Sequence, residues 1–424
     1  MKCRHCGSDL NLELINLGFA PPSNSYLKPE DLRQPEKHYP LRVLVCEECW
    51  LTQTEDFVGH EQLFSSEYAY FSSCSSGWVE HARRYVDEVV EKLDLNRESL
   101  VIEVAANDGY LLQHVVAKKI PCYGIEPTTS TANAARERGI TIVEEFFNRA
   151  TAKRLLRERG PADLMIANNV LAHVPDINNF VAGFVILLKQ TGVATFEFPH
   201  LLNLVQGMQF DTIYHEHFSY PSLDSIINVF TTNGLNVFDV EEIPTHGGSI
   251  RIYAQRADRR PYPTQQRVQD LLDKEIAIGM RTKEFYKTFQ QTADRITCDL
   301  ISFLVDCRKE GKSVIAYGAA AKGNTILNYA GIRPNLLPCV YDASPAKGGK
   351  FLPASHIPIY PSSEFPNHYS DYVLILPWNL TSEIMTLYPQ VLERGSKWVT
   401  AIPSLKIHSR VDPTSPGHSF TTQA

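Results

Sequence analysis

An alternation of apolar, strand-like runs with amphipathic stretches constrains the fold of this chain more than any other feature. The stretches between the runs have the length and spacing of helices, which is the pattern of consecutive βα units. Such units build a parallel, doubly wound sheet with helices on both faces. We therefore predict a central Rossmann-like α/β domain over residues 97–258. The apolar runs are residues 100–105, 122–126, 141–143, 162–167 and 193–198.

A second α/β pattern follows in the C-terminal part of the chain, after a helical stretch over residues 267–309. The 424 residues exceed what one hydrophobic core normally serves, so several domains are expected. We predict a second Rossmann-like domain over residues 264–410 and a frayed polar tail over residues 411–424. The apolar runs of this second pattern are residues 313–317, 339–342 and 372–376.

Four of the nine cysteines form two Cys-x-x-Cys pairs near the N-terminus. Two such pairs supply four thiolates to one tetrahedral Zn²⁺, which leaves no open coordination position for catalysis. We therefore predict a structural zinc ion bound by Cys3, Cys6, Cys46 and Cys49 in a small module over residues 1–62. A redox pair and two isolated disulfides remain alternatives, although the odd number of cysteines favours reduced thiols.

The overall composition excludes several classes of protein. The net charge is −7 and no long basic run occurs, which argues against a general nucleic-acid-binding protein. No stretch of about 18 apolar residues is present, so no membrane span is predicted. The N-terminus lacks the apolar segment of a signal peptide, and we expect a cytoplasmic protein.

The first βα loop of the central domain indicates a nucleoside ligand without phosphates. Glu126 ends the second strand about 20 residues after the first loop, where a carboxylate meets ribose hydroxyls in related folds. Asp108 and Gly109 open the first helix, but the remaining glycines of a G-x-G-x-x-G loop are missing. Glu103 would repel a phosphate. The loop therefore suits a cationic nucleoside such as S-adenosylmethionine.

The segment from Thr212 to Tyr220 carries four proton-handling side chains in a row, from Tyr214 to His217. It follows the last central strand run by a short loop, at the edge of the sheet where ligands bind. Histidine titrates near neutrality and acts as a general base. We predict a catalytic segment here. The sequence leaves open whether it is extended or helical, and so which side chains share a face.

The C-terminal domain shows features of an anion site. A loop of small residues before Lys322 opens a helix, where backbone N–H groups face an anion. Lys347 and Lys350 flank two glycines, and Asp342 ends the second strand of this domain. We predict that this domain binds the diphosphate of a nucleotide. A purely structural domain is the alternative.

Four motifs of the chain form a characteristic set: Glu103-Val-Ala-Ala-Asn-Asp-Gly109, Gly124-Ile-Glu-Pro127, Asn168-Asn-Val-Leu-Ala-His173 and Tyr214-His-Glu-His217. Together they resemble the zinc-containing three-domain sugar C-methyltransferases of deoxysugar pathways. Members of that family use S-adenosylmethionine to methylate a carbon, usually C-3, of a nucleotide-linked 4-keto-6-deoxysugar. The resemblance runs nearly the full length and implies a dTDP- or GDP-linked substrate and a monomer or homodimer.

The resemblance also implies roles for individual residues. We expect His217 to be the base, Tyr214 the oxyanion partner, Glu216 an orienting or hydroxyl-binding group, and His173 a second donor to the keto oxygen. The expected cofactor-binding residues are Glu103, Ala105, Asn107, Asp108, Gly109, Glu126, Pro127, Asn168 and Asn169. The expected substrate-binding residues are Tyr70, His215, Lys322, Asn324, Asp342, Lys347 and Lys350.

One position departs from the family pattern. Residues 63–96 are expected to form a helical cover segment, in which relatives usually carry a tyrosine where Cys74 stands. A thiol does not donate a hydrogen bond as a phenol does. Tyr68 and Tyr70 are nearby substitutes. The alternatives to a methyltransferase are an NAD-dependent oxidoreductase, which the missing glycines argue against, and a non-catalytic zinc-ribbon interaction protein.

Overall fold

The computed structural model describes residues 1–57, 59 and 71–409, and within them the strands form three sheets. Tyr68, Tyr70 and the predicted tail lie outside the described residues. In chain order the strands are β1 Leu12–Ala20, β2 Tyr39–Val45, β3 Thr52–Thr54, β4 Val101–Val104, β5 Cys122–Ile125, β6 Ile142–Val143, β7 Ala162–Asn168, β8 Leu188–Pro199, β9 Ser219–Tyr220, β10 Leu235–Ile243, β11 Ser249–Arg256, β12 Val314–Tyr317, β13 Val340–Asp342, β14 Ile359–Pro361, β15 Tyr372–Ile375, β16 Lys397–Thr400 and β17 Lys406–His408.

The α-helices lie mostly between the parallel strands, as the βα pattern predicts. The helical stretch predicted over residues 267–309 consists of three helices. The first of them ends before Gly279, whose φ of 92° is left-handed. In chain order the helices are α1 Ser76–Lys92, α2 Leu112–Ala117, α3 Thr129–Glu137, α4 Arg149–Arg159, α5 Ile177–Leu187, α6 Leu201–Gln206, α7 Leu223–Thr232, α8 Gln266–Ala277, α9 Lys283–Tyr286, α10 Phe289–Lys309, α11 Ala321–Tyr329, α12 Thr381–Leu387 and α13 Gln390–Glu393.

The central sheet has seven strands in the order β10-β11-β8-β7-β4-β5-β6. The strands from β8 to β6 in this order run parallel, whereas β11 is antiparallel to both of its neighbours. The chain proceeds from β4 to β5 and β6 on one side and then crosses to β7 on the other. The switch point of the sheet is therefore between β4 and β7, where such sheets bind ligands.

The C-terminal sheet has six strands in the order β14-β13-β12-β15-β16-β17. Counted within the domain, this is the 3-2-1-4-5-6 order of a dinucleotide-binding sheet. Its first five strands run parallel and β17 is antiparallel. The prediction of a second Rossmann-like domain is confirmed, and its switch point lies between β12 and β15.

The N-terminal sheet is antiparallel, with the order β1-β2-β3-β9. Its fourth strand, β9, comes from the central part of the chain and pairs Ser219 and Tyr220 with Gln53 and Thr52. The strand is therefore shared between the cysteine-containing module and the segment that was predicted to be catalytic.

One hydrophobic core joins all three parts of the molecule. It includes Val43 of β2, Leu201 and Phe210 of the central part, and Leu327 and Val399 of the C-terminal domain, each at most 1% exposed. This packing fixes the position of the second Rossmann-like sheet relative to the first. None of the described helices is long and apolar enough to cross a lipid bilayer.

Candidate active site

A cavity of about 520 Å³ lies where the carboxyl ends of the two Rossmann-like sheets meet. The loops after β4, β5 and β7 line one part of it, and the loops after β12 and β15 line another. The N-terminal module contributes Asn24, and the predicted catalytic segment contributes Tyr214 and His217. All three parts of the chain therefore meet at one site.

The loop after β4 is shaped by left-handed backbone. Ala105 and Asn107 have φ values of 59° and 48°, a region that residues with a β-carbon rarely adopt. The Glu126 carboxylate accepts hydrogen bonds from the backbone N–H groups of Asn107 (2.9 Å) and Thr128 (3.0 Å). Burial raises the pKa of Glu126, and these hydrogen bonds oppose the shift. Ala105, Asn107, Glu126 and Pro127 all line the cavity.

The two asparagines after β7 also line the cavity. Asn169 has a left-handed φ of 52° and donates its backbone N–H to the carbonyl of Glu197 at 2.6 Å. The Oδ1 atoms of Asn168 and Asn169 are buried and have no hydrogen-bond partner among the described residues. Buried acceptors are rarely left unpaired. They therefore mark a place for the donors of a ligand.

Glu103 and Gly109, two predicted cofactor-binding residues, do not line the cavity. Glu103 is inside β4 and 1% exposed, and burial raises its pKa well above the usual range. Gly109 is required for packing, because a β-carbon there would lie 2.3 Å from the side chain of Ile140. The absence of a side chain at Gly109 therefore lets the neighbouring protein side chain pack closely, and does not open space for a ligand.

Asp108 also lies outside the cavity and anchors the cover segment instead. Its carboxylate accepts a hydrogen bond from the backbone N–H of Ser73 at 3.2 Å and pairs with Arg138 at 3.1 Å. The side chain of Asn107 accepts from the backbone of Ser72 at 2.9 Å. Cys74, which follows, is exposed and does not line the cavity.

The segment around His217 is neither extended nor helical but a turn, closed by a hydrogen bond from the His217 N–H to the Tyr214 carbonyl at 2.9 Å. The rings of Tyr214 and His217 lie 4.0 Å apart. The Nδ1 atom of His217 donates to the carbonyl of Thr212 at 2.9 Å, because a carbonyl only accepts. Its Nε2 is therefore unprotonated in the neutral ring, and no described residue forms a hydrogen bond with it.

His173 packs beside His217, with ring centroids 4.7 Å apart. Its Nδ1 donates to the carbonyl of Glu216 at 2.8 Å. Burial lowers the pKa of His173 to about 4 and the pKa of His217 well below its usual range. Both rings are therefore neutral near pH 7. For His173, a donor role at Nε2 would require a second proton that burial opposes.

The turn directs His215 and Glu216 away from the cavity. The His215 Nε2 lies 3.2 Å from the carbonyl of Pro40, against the N-terminal module. Glu216 is 1% exposed, and burial raises its pKa to about 7 while hydrogen bonds from Asn24 oppose the shift. Neither side chain lines the cavity. The orienting partner of His217 is the carbonyl of Thr212, in place of the expected Glu216.

The C-terminal domain places two lysines at the cavity. Lys322 donates to Asn379 at 2.6 Å and lies 4.9 Å from the ring of Trp378. Lys347 donates to the carbonyl of Ala319 at 2.9 Å and lies 3.5 Å from Asp342. Both lysines line the cavity, which places positive charge at the switch point of the second sheet.

Other predicted substrate-binding residues of this domain lie elsewhere. Asn324 is fully buried and donates to the carbonyl of Ser23 at 2.6 Å, so it holds the N-terminal module. Asp342 accepts from the backbone of Ala319 at 2.6 Å, and neither it nor Lys350 lines the cavity. Tyr70 lies outside the described residues.

Three family descriptions match the chain in succession. Residues 3–64 match a putative zinc binding domain, residues 78–240 a methyltransferase domain and residues 244–403 a C-methyltransferase C-terminal domain. C-methyltransferase NovU of Streptomyces niveus is 32% identical over 408 residues, which cover 96% of this chain and 97% of that protein. The chain belongs to the three-domain C-methyltransferase family.

Solved methyltransferase structures also match part of this C-methyltransferase. Magnesium protoporphyrin IX methyltransferase from Synechocystis PCC 6803 with bound SAH is 15% identical, with a TM-score of 0.34, over 42% of this chain and 83% of that chain. The CcbJ methyltransferase from Streptomyces caelestis is 12% identical, also with a TM-score of 0.34, over 42% of this chain and 89% of that chain.

The C-methyltransferase depends on S-adenosylmethionine, and the residues at the first switch point fit this cofactor. The cavity there presents the carboxylate of Glu126 and the unpaired oxygens of Asn168 and Asn169, and no lysine or arginine comes from the loops after β4, β5 and β7. These groups suit the hydroxyl and ammonium donors of a cationic nucleoside. The family assignment favours methyl transfer over both alternatives drawn from the sequence.

The four cysteines of the C-methyltransferase fit a zinc ion. Their Sγ atoms all lie within 4.8 Å of one another, with Cys3 and Cys49 at 3.6 Å and Cys6 and Cys46 at 3.5 Å. Zn–S bonds of about 2.3 Å in a tetrahedron require such separations. Gly7, directly after Cys6, has a left-handed φ of 78°, which glycine adopts without steric cost. The prediction of a Cys₄ zinc site is confirmed in its geometry.

The zinc module of the C-methyltransferase holds the turn that carries His217. The hydroxyl of Thr54 donates to the carbonyl of His217, and the N–H of Thr54 donates to the carbonyl of Phe218 at 3.1 Å. Arg4, between the first two cysteines, stacks 5.5 Å from the Phe218 ring and donates to the carbonyl of Pro175 at 2.9 Å. Through these contacts the module supports the turn at the site.

Trp78 and His246 are among the cavity residues that sequence reasoning missed. Ser75 caps helix α1 by accepting from the backbone N–H of Trp78 at 3.2 Å, and the indole stacks on His81 with ring centroids 4.8 Å apart. His246 is at the tip of the β10–β11 hairpin, followed by two glycines. A histidine before a glycine pair, between two strand patterns, was the available signal for a special turn.

Proposed function

We propose that this C-methyltransferase transfers a methyl group to C-3 of a nucleotide-linked 4-keto-6-deoxysugar, through an enolate formed by His217. The observation that carries the proposal is that His217 lines the cavity and that its Nδ1 donates to the carbonyl of Thr212, which leaves Nε2 unprotonated in the neutral ring. One wall of that cavity carries Glu126 and another carries Lys322 and Lys347. The Glu126 wall suits a cationic methyl donor, and the lysine wall suits an anionic nucleotide sugar.

The second wall supports a phosphate-bearing substrate. Lys322 is in the first turn of helix α11, where backbone N–H groups favour an anion. Lys347 lies beside the loop that precedes this helix, through its hydrogen bond to the carbonyl of Ala319. Burial lowers the pKa of Lys322, whereas Tyr26 and Asp342 raise the pKa of Lys347 in spite of burial. The two ammonium groups offer complementary charge to a diphosphate.

The proposed proton path begins at the carbon beside the keto group. The carbonyl acidifies that hydrogen, and the Nε2 of His217 takes it as a proton, which leaves an enolate on the sugar. The Thr212 carbonyl holds the ring in the tautomer that this step requires. S-adenosylmethionine, when bound, would supply the methyl group. The enolate carbon would form its new bond to this methyl as the methyl–sulfur bond breaks, and S-adenosylhomocysteine would leave. His217 afterwards returns the proton to solvent.

Two neighbouring groups complete the proposed site. The Tyr214 hydroxyl donates a hydrogen bond to the developing oxyanion of the enolate. His173 acts as a neutral spacer that packs against His217 and ties the turn to the loop after β7. Its burial, which opposes protonation, makes it a poor donor to the keto oxygen.

The test is a methyl-transfer assay with S-adenosylmethionine and a panel of dTDP- and GDP-linked 4-keto-6-deoxysugars. Products are analysed by mass spectrometry and by NMR of the methylated carbon. Transfer to C-3 of one sugar is expected and would name the nucleotide. Transfer to an oxygen or nitrogen, or no transfer to any sugar by a protein that binds S-adenosylmethionine, would contradict the proposal.

A further inference from the structure

The hairpin between β10 and β11 reaches the cavity at a turn that has no assigned role in the reaction proposed above. Its residues are Thr245–Gly247 followed by Gly248, and His246 lines the cavity. The inference below deepens the proposed function and rests on it. It concerns how the sugar is held while His217 takes the proton.

The backbone of this turn is unfavourable at His246. The residue has φ 54° and ψ 26°, and Gly247 and Gly248 follow with φ values of 88° and 109°. Three successive residues therefore have positive φ, which only glycine adopts without steric conflict. Glycines occupy the second and third positions, but a histidine occupies the first. Strained non-glycine residues cluster at functional sites.

The neighbours of the turn leave it no room to relax. A β-carbon on Gly247 would lie 2.6 Å from the ring of Trp378, and one on Gly248 would lie 2.5 Å from the side chain of Asn203. The hairpin tip is thus wedged between the C-terminal domain and helix α6. The conformation that presents His246 to the cavity is fixed by packing from both Rossmann-like domains.

The imidazole of His246 is polar but unsatisfied. Its Nδ1 is buried and has no hydrogen-bond partner, and no described residue forms a hydrogen bond with Nε2. The ring packs edge-to-face against Trp78, with 4.8 Å between the ring centroids. A phenylalanine or leucine would make that contact without burying an unpaired polar atom. Packing alone therefore does not explain the histidine.

The charges nearby indicate which ligand atom the ring meets. Burial, together with the Lys322 ammonium, lowers the pKa of His246 to about 4, so the ring is neutral near pH 7. The titratable groups near it are Lys322, Glu197 and His81. A neutral imidazole pairs well with an uncharged oxygen, whereas Lys322 and Lys347 already suit phosphates. A hydroxyl or keto oxygen of the sugar ring is the matching partner.

We propose that His246 is a substrate-binding residue whose neutral imidazole hydrogen-bonds an uncharged oxygen of the sugar, and so positions the carbon that His217 deprotonates. The unpaired nitrogen then gains its partner when the substrate binds. The strained backbone is the means by which the ring reaches the sugar. We assign His246 no role in binding S-adenosylmethionine.

The test uses His246→Gly, which removes the ring and suits the left-handed backbone. His246→Asn keeps a polar side chain that tolerates the same backbone. The matched control is His356→Gly, because His356 has a similar φ of 56° but its Nε2 lies 3.2 Å from the Glu36 carboxylate and it does not line the cavity. The readouts are kcat and KM for the sugar, the dissociation constant of S-adenosylmethionine, and the thermal midpoint.

For His246→Gly we expect at least a tenfold fall in kcat/KM for the sugar, with unchanged binding of S-adenosylmethionine and an equal or higher thermal midpoint. His246→Asn should recover part of that loss, and His356→Gly should keep full activity. A kcat/KM within twofold of the wild type in His246→Gly would refute the inference alone. A lower thermal midpoint or weaker S-adenosylmethionine binding would assign the ring a structural or cofactor role instead. If the wild type methylates no sugar, the proposed function fails and the inference fails with it.

Discussion

The two Rossmann-like sheets of this protein use the same local device at different sites. In the central sheet the carboxylate of Glu126, after the second strand, accepts the backbone N–H of Asn107 from the first loop at 2.9 Å. In the C-terminal sheet Asp342, at the end of the second strand, accepts the N–H of Ala319 from the first loop at 2.6 Å. Each carboxylate thus fixes the loop that approaches a ligand.

The two sheets differ in the charge that remains at the cavity. Glu126 lines the cavity, and no described basic side chain forms an ion pair with it. Asp342 lies behind the cavity and is compensated by Lys347, which does line it together with Lys322. One architecture thus presents a carboxylate in one domain and ammonium groups in the other. The difference teaches that ligand choice follows from side chains placed on the fold, not from the fold itself.

We expect the largest effect from a substitution that removes the base, His217, and leaves both sheets intact. His217→Asn should lower kcat by about 10³-fold, since general base catalysis contributes about 10²- to 10⁴-fold. Binding of S-adenosylmethionine, measured by calorimetry, should stay within twofold of the wild type. Near-normal turnover in this variant would remove His217 from the base role, and His356→Asn serves as the control.

Loss of zinc should affect the site indirectly, through the strand and the hydrogen bonds that hold the turn. Removal of the ion with a chelator, or the substitution Cys46→Ser, should lower the thermal midpoint and abolish most turnover, because metal binding is part of the folding free energy. Metal content, circular dichroism and activity are measured together. Full activity of a protein shown to be free of zinc would contradict the supporting role of the module.

A pair of charge removals tests the contrast between the sheets directly. Glu126→Gln should weaken binding of S-adenosylmethionine by about tenfold or more, since a hydrogen bond to a charged group contributes about 1.5–3 kcal/mol. Lys322→Met should raise KM for the nucleotide sugar by a similar factor and leave S-adenosylmethionine binding unchanged. The two effects are measured by calorimetry and steady-state kinetics.

Asp342→Asn is the matched control for the acidic member of the pair. It alters the corresponding carboxylate of the second sheet, which does not line the cavity. Binding of S-adenosylmethionine should therefore stay within twofold. If the Asp342 variant weakened that binding as much as the Glu126 variant did, the claim that only the central sheet binds S-adenosylmethionine would be contradicted.

The smallest expected effect concerns pH and the histidines between the sheets. Burial lowers the pKa of His246 to about 4, below the value of about 6.5 in an unfolded chain. As the pH falls, the unfolded state therefore binds a proton at this histidine before the folded state does. The contribution of His246 to the free energy of unfolding is complete above pH 6.5 and is lost as the pH falls towards 4. The slope is about 1.4 kcal/mol per pH unit for one such group.

Glu216, whose pKa is raised to about 7, changes the pH dependence of the unfolding free energy in the opposite direction. The pH dependence of His246→Gly is therefore compared with that of the wild type, in which Glu216 is the same. Urea unfolding at pH 7, 6 and 5 should show a shallower acid dependence in His246→Gly than in the wild type. Equal slopes would mean that the pKa of His246 is not lowered in the folded state.

Much of the fold was predictable from the sequence because local patterns determine it. The alternation of apolar runs specifies parallel βα units, and the spacing of Cys3, Cys6, Cys46 and Cys49 specifies a four-thiolate site. Glu126 was found because the end of a second strand is a fixed place in such sheets. These signals depend on residues close together in the chain.

The direction of side chains in the catalytic turn was not predictable in the same way. Tyr214 and His217 face the cavity while His215 and Glu216 face the N-terminal module, because a hydrogen-bonded turn replaces the period of a strand or a helix. Asn324 was expected to bind the substrate, but its side chain donates to the carbonyl of Ser23, 301 positions away. Such contacts between distant segments leave no local pattern in the sequence.

The measurement that tests the central claim most directly follows solvent hydrogen exchange at C-3 of the keto sugar. Wild type and His217→Asn are incubated with the sugar in deuterated water, and mass spectrometry follows deuterium uptake and methyl transfer together. We predict that the wild type exchanges or methylates this carbon, and that His217→Asn does neither while it still binds S-adenosylmethionine. Exchange in His217→Asn at the wild-type rate would show that another group is the base.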